Sequence, residues 1–344
     1  MITRSSKLDI LEDAKKLGFE NPKSIAKREV CKLINAIPKQ EAVQLSDYFT
    51  LIEMLGKGNF GQVWLAQDNK TGKEYALKLL QEMTEDSLRE VFVLSKLAHS
   101  CQNNNILCYY DSFRALSPLN RKRELLYYVI QTEYVRGIEM HKYRDEWFIE
   151  NSQAPPKDTL HRLAKSLLNA LKYIHKNRVY HLDIKPSNIM IQSDNGECKL
   201  IDFGLACSQS SLDACATCLK TEGFGTPGYM SPDYVENCLF NYQLGLCNEE
   251  RRLKTDIWAF GLTMLSLIQP RDVGEEFQQV YEETVLENDY QKIDEDSFLK
   301  MISSPKSLPK FKTDALLTRI INSALSVDSQ SRPEASELLK MFYK

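Results

Sequence analysis

The chain has no apolar run approaching the ~18–20 residues needed to cross a bilayer, so a membrane-spanning protein is not expected. It also lacks the apolar core of a signal peptide. The opening stretch MITRSSKLDILEDAKK puts charges where that core would lie, and secretion is not expected. There is no excess of positive charge: 44 Lys and Arg face 47 Asp and Glu, a net charge of −3, which excludes a global polycation for nucleic acid. No internal repeat is visible. With 43% hydrophobic and 26% charged residues, a mostly disordered chain is excluded as well. Nine cysteines is an odd number without an export signal, and the simplest reading is reduced thiols in the cytoplasm or nucleus.

What is present is unevenly spread. At ~100–200 residues per domain, 344 residues suggest two domains or one large two-lobed unit. Residues 1–40 carry nine Lys and Arg against five Asp and Glu, so a small basic piece precedes an acidic body. Leu8, Leu11, Ala14 and Leu17 share one side of a predicted helix over 6–18, with Ser6 and Asp9 as a capping box and Gly18 closing the end. Val30, Leu33, Ile34 and Ile37 predict a second helix stopped by Pro38, and Lys39 to Ser46 reads as a linker. From Tyr48 the pattern is of strands: YFTLIEMLGKGNFGQVWLAQD around a glycine turn, then EYALKLL, then segments near 106–113 and 125–134. A helix over 85–98 aligns Leu88, Val91, Leu94 and Leu97. Past Gly137 the chain reads as mainly helical, with short strands near 188–191 and 199–201. Strands first and helices afterwards argue for two lobes.

Gly56-Lys57-Gly58-Asn59-Phe60-Gly61 is a G-x-G-x-x-G between two strands. Alone it is a weak signal, and a flexible hairpin is the blander explanation. Since Gln62-Val63-Trp64-Leu65 continues as strand rather than helix, the loop fits a flap over nucleotide phosphates better than a dinucleotide site. Lys78 lies inside the apolar strand Ala76-Leu77-Lys78, where a charge is costly unless used. Glu90 lies on the following helix. His181-Leu182-Asp183-Ile184-Lys185-Pro186-Ser187-Asn188 follows a long amphipathic helix, and Asp202-Phe203-Gly204 follows a short strand.

In this order the motifs resemble the eukaryotic protein kinase family over about residues 48–343. The resemblance implies an α+β bilobal fold: a small five-stranded β lobe plus one helix over about 48–133, and a larger mainly helical lobe over about 138–343. It implies a serine/threonine protein kinase using ATP and Mg²⁺ on protein substrates. Lys78 would hold the α- and β-phosphates and pair with Glu90. Asn188 and Asp202 would supply oxygen ligands to Mg²⁺. Asp183 would accept or orient the proton of the attacking hydroxyl, and Lys185 would neutralise the γ-phosphate. Leu55, Gly56, Gly58 and Gly61 belong to the flap. Val63, Ala76 and Met190 would sandwich the adenine. Thr132 falls at the gatekeeper position, the backbone of Glu133 and Val135 would bond the adenine edge, and Glu139 could reach the ribose. Leu94, Tyr109, His181 and Phe203 would stack as the spine. Asp183-x-Lys185-Pro186-x-Asn188 looks like the serine/threonine branch. Gly225-Thr226-Pro227-Gly228-Tyr229-Met230-Ser231-Pro232-Asp233 is similar to the docking end of activation segments in the NIMA-related and Ste-type groups. Thr226 would then touch Asp183 and Lys185, and Asp256 would anchor the catalytic loop.

The chain departs from the family at several points. Leu182 stands where arginine is usual, Cys207 where many phosphate-switched relatives carry a basic residue, and Asp233 where glutamate is usual, which puts its pairing with Arg332 in doubt. An insert lies between Asp233 and Asp256. Cys215-Ala-Thr-Cys218 lacks a second pair or histidines, so it is weak evidence for zinc, and reduced loop cysteines are the preferred reading. Residues 1–40 are loosely similar to SAP-like two-helix modules, which bind DNA, and to cysteine-bearing hairpins of large DNA viruses. A viral source would place the protein in a host cell. A helical extension packed on the small lobe, open to a regulatory partner, is preferred to DNA contact. The rival from another class is a nucleotide-binding pseudokinase scaffold. Lys78, Glu90, Asp183, Asn188 and Asp202 together argue against it. A lipid or small-molecule kinase is disfavoured by Thr226 and its docking segment.

Overall fold

The computed structural model describes residues 42–344 apart from 59–60, 83, 121–122, 209–224, 242–243, 245, 284–294, 305–307 and 312. The two expected N-terminal helices and the Cys215/Cys218 pair lie outside the described residues. The chain divides into two compact units. One takes the described residues up to Cys101 together with Leu107–Val135, and the other takes Gln102–Ile106 and the described residues from Arg136 onward.

The first unit is built on a sheet of β1 (Val43–Gln44), β2 (Phe49–Gly58), β3 (Gly61–Asp68), β4 (Glu74–Leu80), β5 (Tyr109–Asn120) and β6 (Arg123–Glu133), in the order β1-β5-β6-β4-β3-β2. Alternation along the strands separates two faces. Leu77, Leu79, Phe113, Ala115, Tyr127 and Val129 form an apolar cluster. The intervening Ala76, Lys78 and Thr132 belong to the opposite face, with Ala76 paired to Thr132 in register. Helix α1 (Leu45–Tyr48) places Leu45, 1% exposed, in the apolar cluster beside Phe49. Helix α2 (Glu85–Leu97) starts where the Thr84 side chain accepts the Ser87 amide, and it buries Val91, Leu94 and Leu97 as their spacing requires.

Two expectations change here. The sheet has a sixth strand: Val43 and Gln44 pair parallel to Ala115 and Leu116 of β5, in a stretch that reads as linker. Two residues are too few to show a period in sequence. The reduced-thiol reading also fails for four cysteines, because Cys101 pairs with Cys108 and Cys238 with Cys247 as disulfides. Spacings of seven and nine residues say nothing of pairing until the backbone brings the Cα atoms to 5.1 and 4.8 Å. Cys198 and Cys207 stand outside the disulfides and are buried. Burial pushes the Cys198 thiol up to about 12, so it is no thiolate at neutral pH.

The second unit is mainly helical: α3 (Met140–Asn151), α4 (Lys157–Lys176), α5 (Glu249–Leu267), α6 (Val273–Tyr281), α7 (Glu295–Ile302), α8 (Ala315–Ala324) and α9 (Ala335–Lys340). Short strands β7 (Gly137–Glu139), β9 (Ile189–Gln192) and β10 (Cys198–Leu200) form one small sheet, and β8 (Val179–Tyr180) pairs with β11 (Cys207–Ser208). Leu160, Leu163, Ala164, Leu167, Leu168, Leu171 and Ile174 make the buried stripe of α4. Helix α5 is buried on every side from Thr255 to Leu267, as a core helix of a large unit must be. The insert before α5 forms a π-helical turn over Val235–Phe240 and is stapled by the Cys238–Cys247 disulfide. Among the described residues no helix is long and apolar enough to cross a membrane.

Leu45 sits in a packed cluster that has little room to collapse. Leu45→Ala is therefore expected to cost about 2–5 kcal/mol. Urea unfolding should show a lower midpoint with an unchanged slope, and an unchanged midpoint would mean that α1 does not stabilise the sheet.

Candidate functional site

In the first unit, β4 carries Lys78 and α2 carries Glu90. Their Nζ and Oε2 atoms lie 2.6 Å apart, with Lys78 21% and Glu90 9% exposed. A charge-assisted bond this short in a mostly desolvated setting holds α2 against the sheet and keeps the ammonium in one place. Val63 stands opposite Lys78 and Leu65 opposite Ala76 across the β3–β4 ladder. Gly58 and Gly61 are paired in register at the tip of the β2–β3 hairpin, while Leu55 is exposed. Thr132 is buried, and its hydroxyl lies 3.4 Å from the Ala76 carbonyl. Glu133 is tied twice to Cys108. Its amide donates to the Cys108 carbonyl at 2.9 Å and its carboxylate accepts the Cys108 amide at 2.8 Å. Cys108 is in turn cross-linked to Cys101, so the disulfide braces the strand beside Glu133.

In the second unit the loop between β8 and β9 is fixed from below. The Asp256 carboxylate on α5, 1% exposed, accepts the amides of His181 at 2.9 Å and Leu182 at 2.8 Å. His175, near the end of α4, adds Nε2 to the same carboxylate at 2.9 Å. Leu182 takes a left-handed backbone, φ 64°, which an apolar side chain adopts only when its surroundings impose it. His181 is fully buried, its Nδ1 accepts the Asp183 amide at 3.3 Å, and its ring meets Phe203 edge-on at 5.0 Å. Burial holds its pKa below the ordinary histidine value, so it stays neutral.

Four expected residues meet at the loop. The Thr226 hydroxyl donates to Asp183 Oδ1 at 2.7 Å and accepts from Lys185 Nζ at 2.7 Å. Lys185 Nζ also lies 3.0 Å from Asp183 Oδ2. Asn188 Nδ2 donates to Asp183 Oδ2 and to the Asp183 carbonyl, both at 2.8 Å. Gly225, φ 103°, allows the approach, since a Cβ there would come within 2.1 Å of the Leu182 carbonyl oxygen. A carboxylate held this way already receives one hydroxyl proton, from Thr226.

Asp202 is exposed and its Oδ1 accepts the Gly204 amide at 3.0 Å, while the Ile201 amide donates to the Asn188 carbonyl at 3.0 Å. The donor chemistry is of the kind Mg²⁺ takes: both contacts of Asn188 Nδ2 go to Asp183, which leaves the amide oxygen as a hard neutral donor, and Asp202 carries a carboxylate. Met190 sits on β9 opposite Glu139. The Glu139 carboxylate is engaged by Lys142 at 2.9 Å and lies 3.5 Å from His141 Nε2, so any bond to a ribose competes with the Lys142 ammonium.

One sequence doubt resolves. Asp233, one methylene shorter than glutamate, still reaches Arg332 at 3.0 Å. Arg332 is wholly buried and donates also to the carbonyls of Lys254 and Ser326. The Asp233–Asp256 stretch carries the Cys238–Cys247 disulfide. Sequence reasoning missed His175 as a third support of Asp256, and it missed Arg144, Asp272 and Tyr229, which form one buried network. Arg144 and Asp272 are 128 positions apart, and nothing local in the sequence marks them as partners.

The chain belongs to the protein kinase family: the family model for the protein kinase domain matches residues 49–343. Its fold is the α+β kinase fold with a β-sheet small lobe and a helical large lobe, and the chemistry of the family is phosphoryl transfer from ATP with Mg²⁺. The chain is similar to mitogen-activated protein kinase kinase 2 of Arabidopsis thaliana, 26% identical over 313 residues, covering 88% of this chain and 74% of that one. It is 31% identical over 236 residues to calcium-dependent protein kinase 4 of Plasmodium falciparum, covering 66% of this chain and 38% of the relative. It is 27% identical over 315 residues to serine/threonine-protein kinase 4 homolog B of Dictyostelium discoideum, covering 88% of this chain but 24% of that protein.

The Lys78–Glu90 geometry predicts a nucleotide effect. Glu90→Gln keeps the shape of the partner but removes its charge, and the affinity for a fluorescent ATP analogue is expected to fall at least tenfold, about 1.4 kcal/mol. Equal affinity in the two proteins would mean that the pair does not position Lys78 for phosphate.

Proposed function

We propose that this protein is an active serine/threonine protein kinase, transferring the γ-phosphate of ATP to hydroxyls of protein substrates. The carrying observation is the Thr226 hydroxyl between Asp183 Oδ1 and Lys185 Nζ, both at 2.7 Å, with Asn188 on the other Asp183 oxygen. Asp183 would take or orient the proton of an incoming hydroxyl at Oδ1, where Thr226 now donates. Lys185, fixed 3.0 Å from Asp183, would place its charge beside the phosphoryl oxygens. Lys78, held by Glu90, would neutralise the α- and β-phosphates. Asn188 and Asp202 would hold Mg²⁺, which supplies charge neutralisation on the phosphates. Thr132, Glu133 and Val135 would define the adenine end, with Val63, Ala76 and Met190 against the base. The Gly225–Asp233 segment and the presence of Lys185 support serine and threonine over tyrosine, and its likeness to NIMA-related and Ste-type segments supports a protein acceptor. For residues 1–40 a regulatory contact is preferred to DNA binding.

The test is radiolabelled ATP with an arrayed peptide library. The wild-type chain should label serine and threonine peptides. Asp183→Asn should lose turnover while still binding ATP, because its partner is the acceptor hydroxyl, and Asp202→Ala should lose turnover with its metal ligand. Normal turnover in either variant would refute the assignment, and nucleotide binding without transfer in the wild type would support a scaffold instead.

Regulation by a loop phosphate is not expected. Such a phosphate adds about −1.5 to −2 charge and orders a loop only where cations face it. Leu182 is 5% exposed and apolar, and Cys207 is 1% exposed, so neither of the family's two cation positions can pair with one. The initial rate of phosphatase-treated enzyme, and of Thr217→Ala/Thr221→Ala, should match that of the untreated chain. A large drop that returns on rephosphorylation would show that another cation, such as Lys220, reads the phosphate.

A further inference from the structure

The second unit holds a buried charge cluster that the phosphoryl chemistry does not use. Asp272 caps the N-terminus of α6, and its Oδ1 accepts the amides of Gly274 at 3.0 Å and Glu275 at 3.3 Å. The same oxygen accepts Ser266 Oγ from the end of α5, at 2.9 Å, and the Tyr229 hydroxyl. Oδ2 accepts Arg144 Nη1 from α3 at 2.7 Å. Arg144 gives two further bonds to Asp145, from Nε at 2.9 Å and Nη2 at 2.7 Å. Arg144, Asp272, Tyr229 and Ser266 are all 5% exposed or less. A carboxylate and a guanidinium this deep each cost several kcal/mol unless paired and fully bonded. Helix capping alone accounts for two of the five bonds. The other three bring α3, α5 and the Thr226–Met230 segment to one carboxyl group.

Tyr229 is the member that points toward function. It lies three residues after Thr226, in the single 3₁₀ turn Pro227–Tyr229, whose amide bond to the Thr226 carbonyl is 2.8 Å. Its ring stands over Gly274, where a Cβ would fall 2.2 Å from the ring, so no other residue fits beneath it. The turn is held a second time where the Gly228 amide donates to Gln278 of α6 at 3.0 Å. Burial, together with the neighbouring Asp272, keeps the Tyr229 hydroxyl far above its ordinary pKa, so it is a donor at every working pH.

We propose that Asp272 is a positioning residue for phosphoryl transfer: braced by Arg144, it holds Tyr229 and thereby sets where the Thr226 hydroxyl meets Asp183 and Lys185. The proposal rests on the kinase reading above. A buried carboxylate that accepts five bonds from four segments favours one arrangement of those segments and holds them rigidly. The segment bearing Thr226 is thus registered against α6 rather than by its own short turn. A displacement of α6 would move the acceptor-hydroxyl position, while the Lys78–Glu90 pair lies in the other unit.

Tyr229→Phe removes the hydroxyl and leaves the ring. Asp272→Asn keeps the shape and removes the charge that Arg144 faces. Each is measured for peptide kcat and KM, for the KM of ATP, for thermal midpoint, and for hydrogen exchange of the amides at 228–230. In Tyr229→Phe, peptide kcat/KM should fall tenfold or more and the three amides should exchange at least tenfold faster, with the KM of ATP within twofold of wild type. Asp272→Asn should show the same pattern, enlarged. Faster exchange with unchanged peptide kinetics would overturn the proposal, because the network would then be a tether only. So would unchanged exchange, or a parallel fall of all kinetic constants that tracks loss of folded protein. Absence of transfer in the wild type would refute the kinase reading instead, and the exchange data would still decide whether Asp272 holds the segment.

Discussion

The geometry of the loop between β8 and β9 depends on one buried carboxylate. Asp256 lies in the middle of the core helix α5 and takes the amides of His181 and Leu182 together with His175 Nε2. Two consecutive amides can face one carboxylate only if the chain between them turns sharply, and Leu182 does so with φ 64°. That turn sends Asp183 toward Thr226, Lys185 and Asn188. The strained backbone of Leu182 costs of order 1–3 kcal/mol, and the bonds to a desolvated carboxylate offset it.

The two units use the same physical device at different sequence distances. Lys78 and Glu90 are 12 positions apart and meet because a strand is followed at once by a helix. Asp183 and Thr226 are 43 apart, and Asp272 and Arg144 are 128 apart. In each case a charged group is taken out of water and surrounded by partners from other elements. Removing one partner costs more than the pair contributes to stability. Such groups are therefore better suited to fixing geometry than to holding the fold, which the apolar faces of α4, α5 and the sheet already do.

The departures from the family pattern are absorbed locally. Leu182 replaces a usual arginine, and its side chain is buried instead of facing a phosphate. Asp233 replaces a usual glutamate, and its oxygen still meets Arg332, which draws further support from two carbonyls. The segment that follows is cross-linked by Cys238 and Cys247, and α5 is buried from Thr255 to Leu267.

Periodicity and turn chemistry alone disclosed the order of the longer strands and helices and the apolar stripe of α2, because these arise from residues within a few positions of each other. The motif residues Lys78, Asp183, Lys185, Asn188, Asp202 and Thr226 were picked out for another reason, the match of their order and spacing to the family pattern, and the fold brings Asp183, Lys185, Asn188 and Thr226 together. The strand at Val43–Gln44 was not legible, since two residues have no period and pair only because the edge of β5 is there to receive them. The two disulfides, the third support of Asp256 by His175, and the meeting of Arg144, Asp272 and Tyr229 were likewise decided by the tertiary structure. A side chain shows its chemistry in the sequence, but a partner dozens of residues away is chosen by packing, and packing exists only once the helices and strands have met.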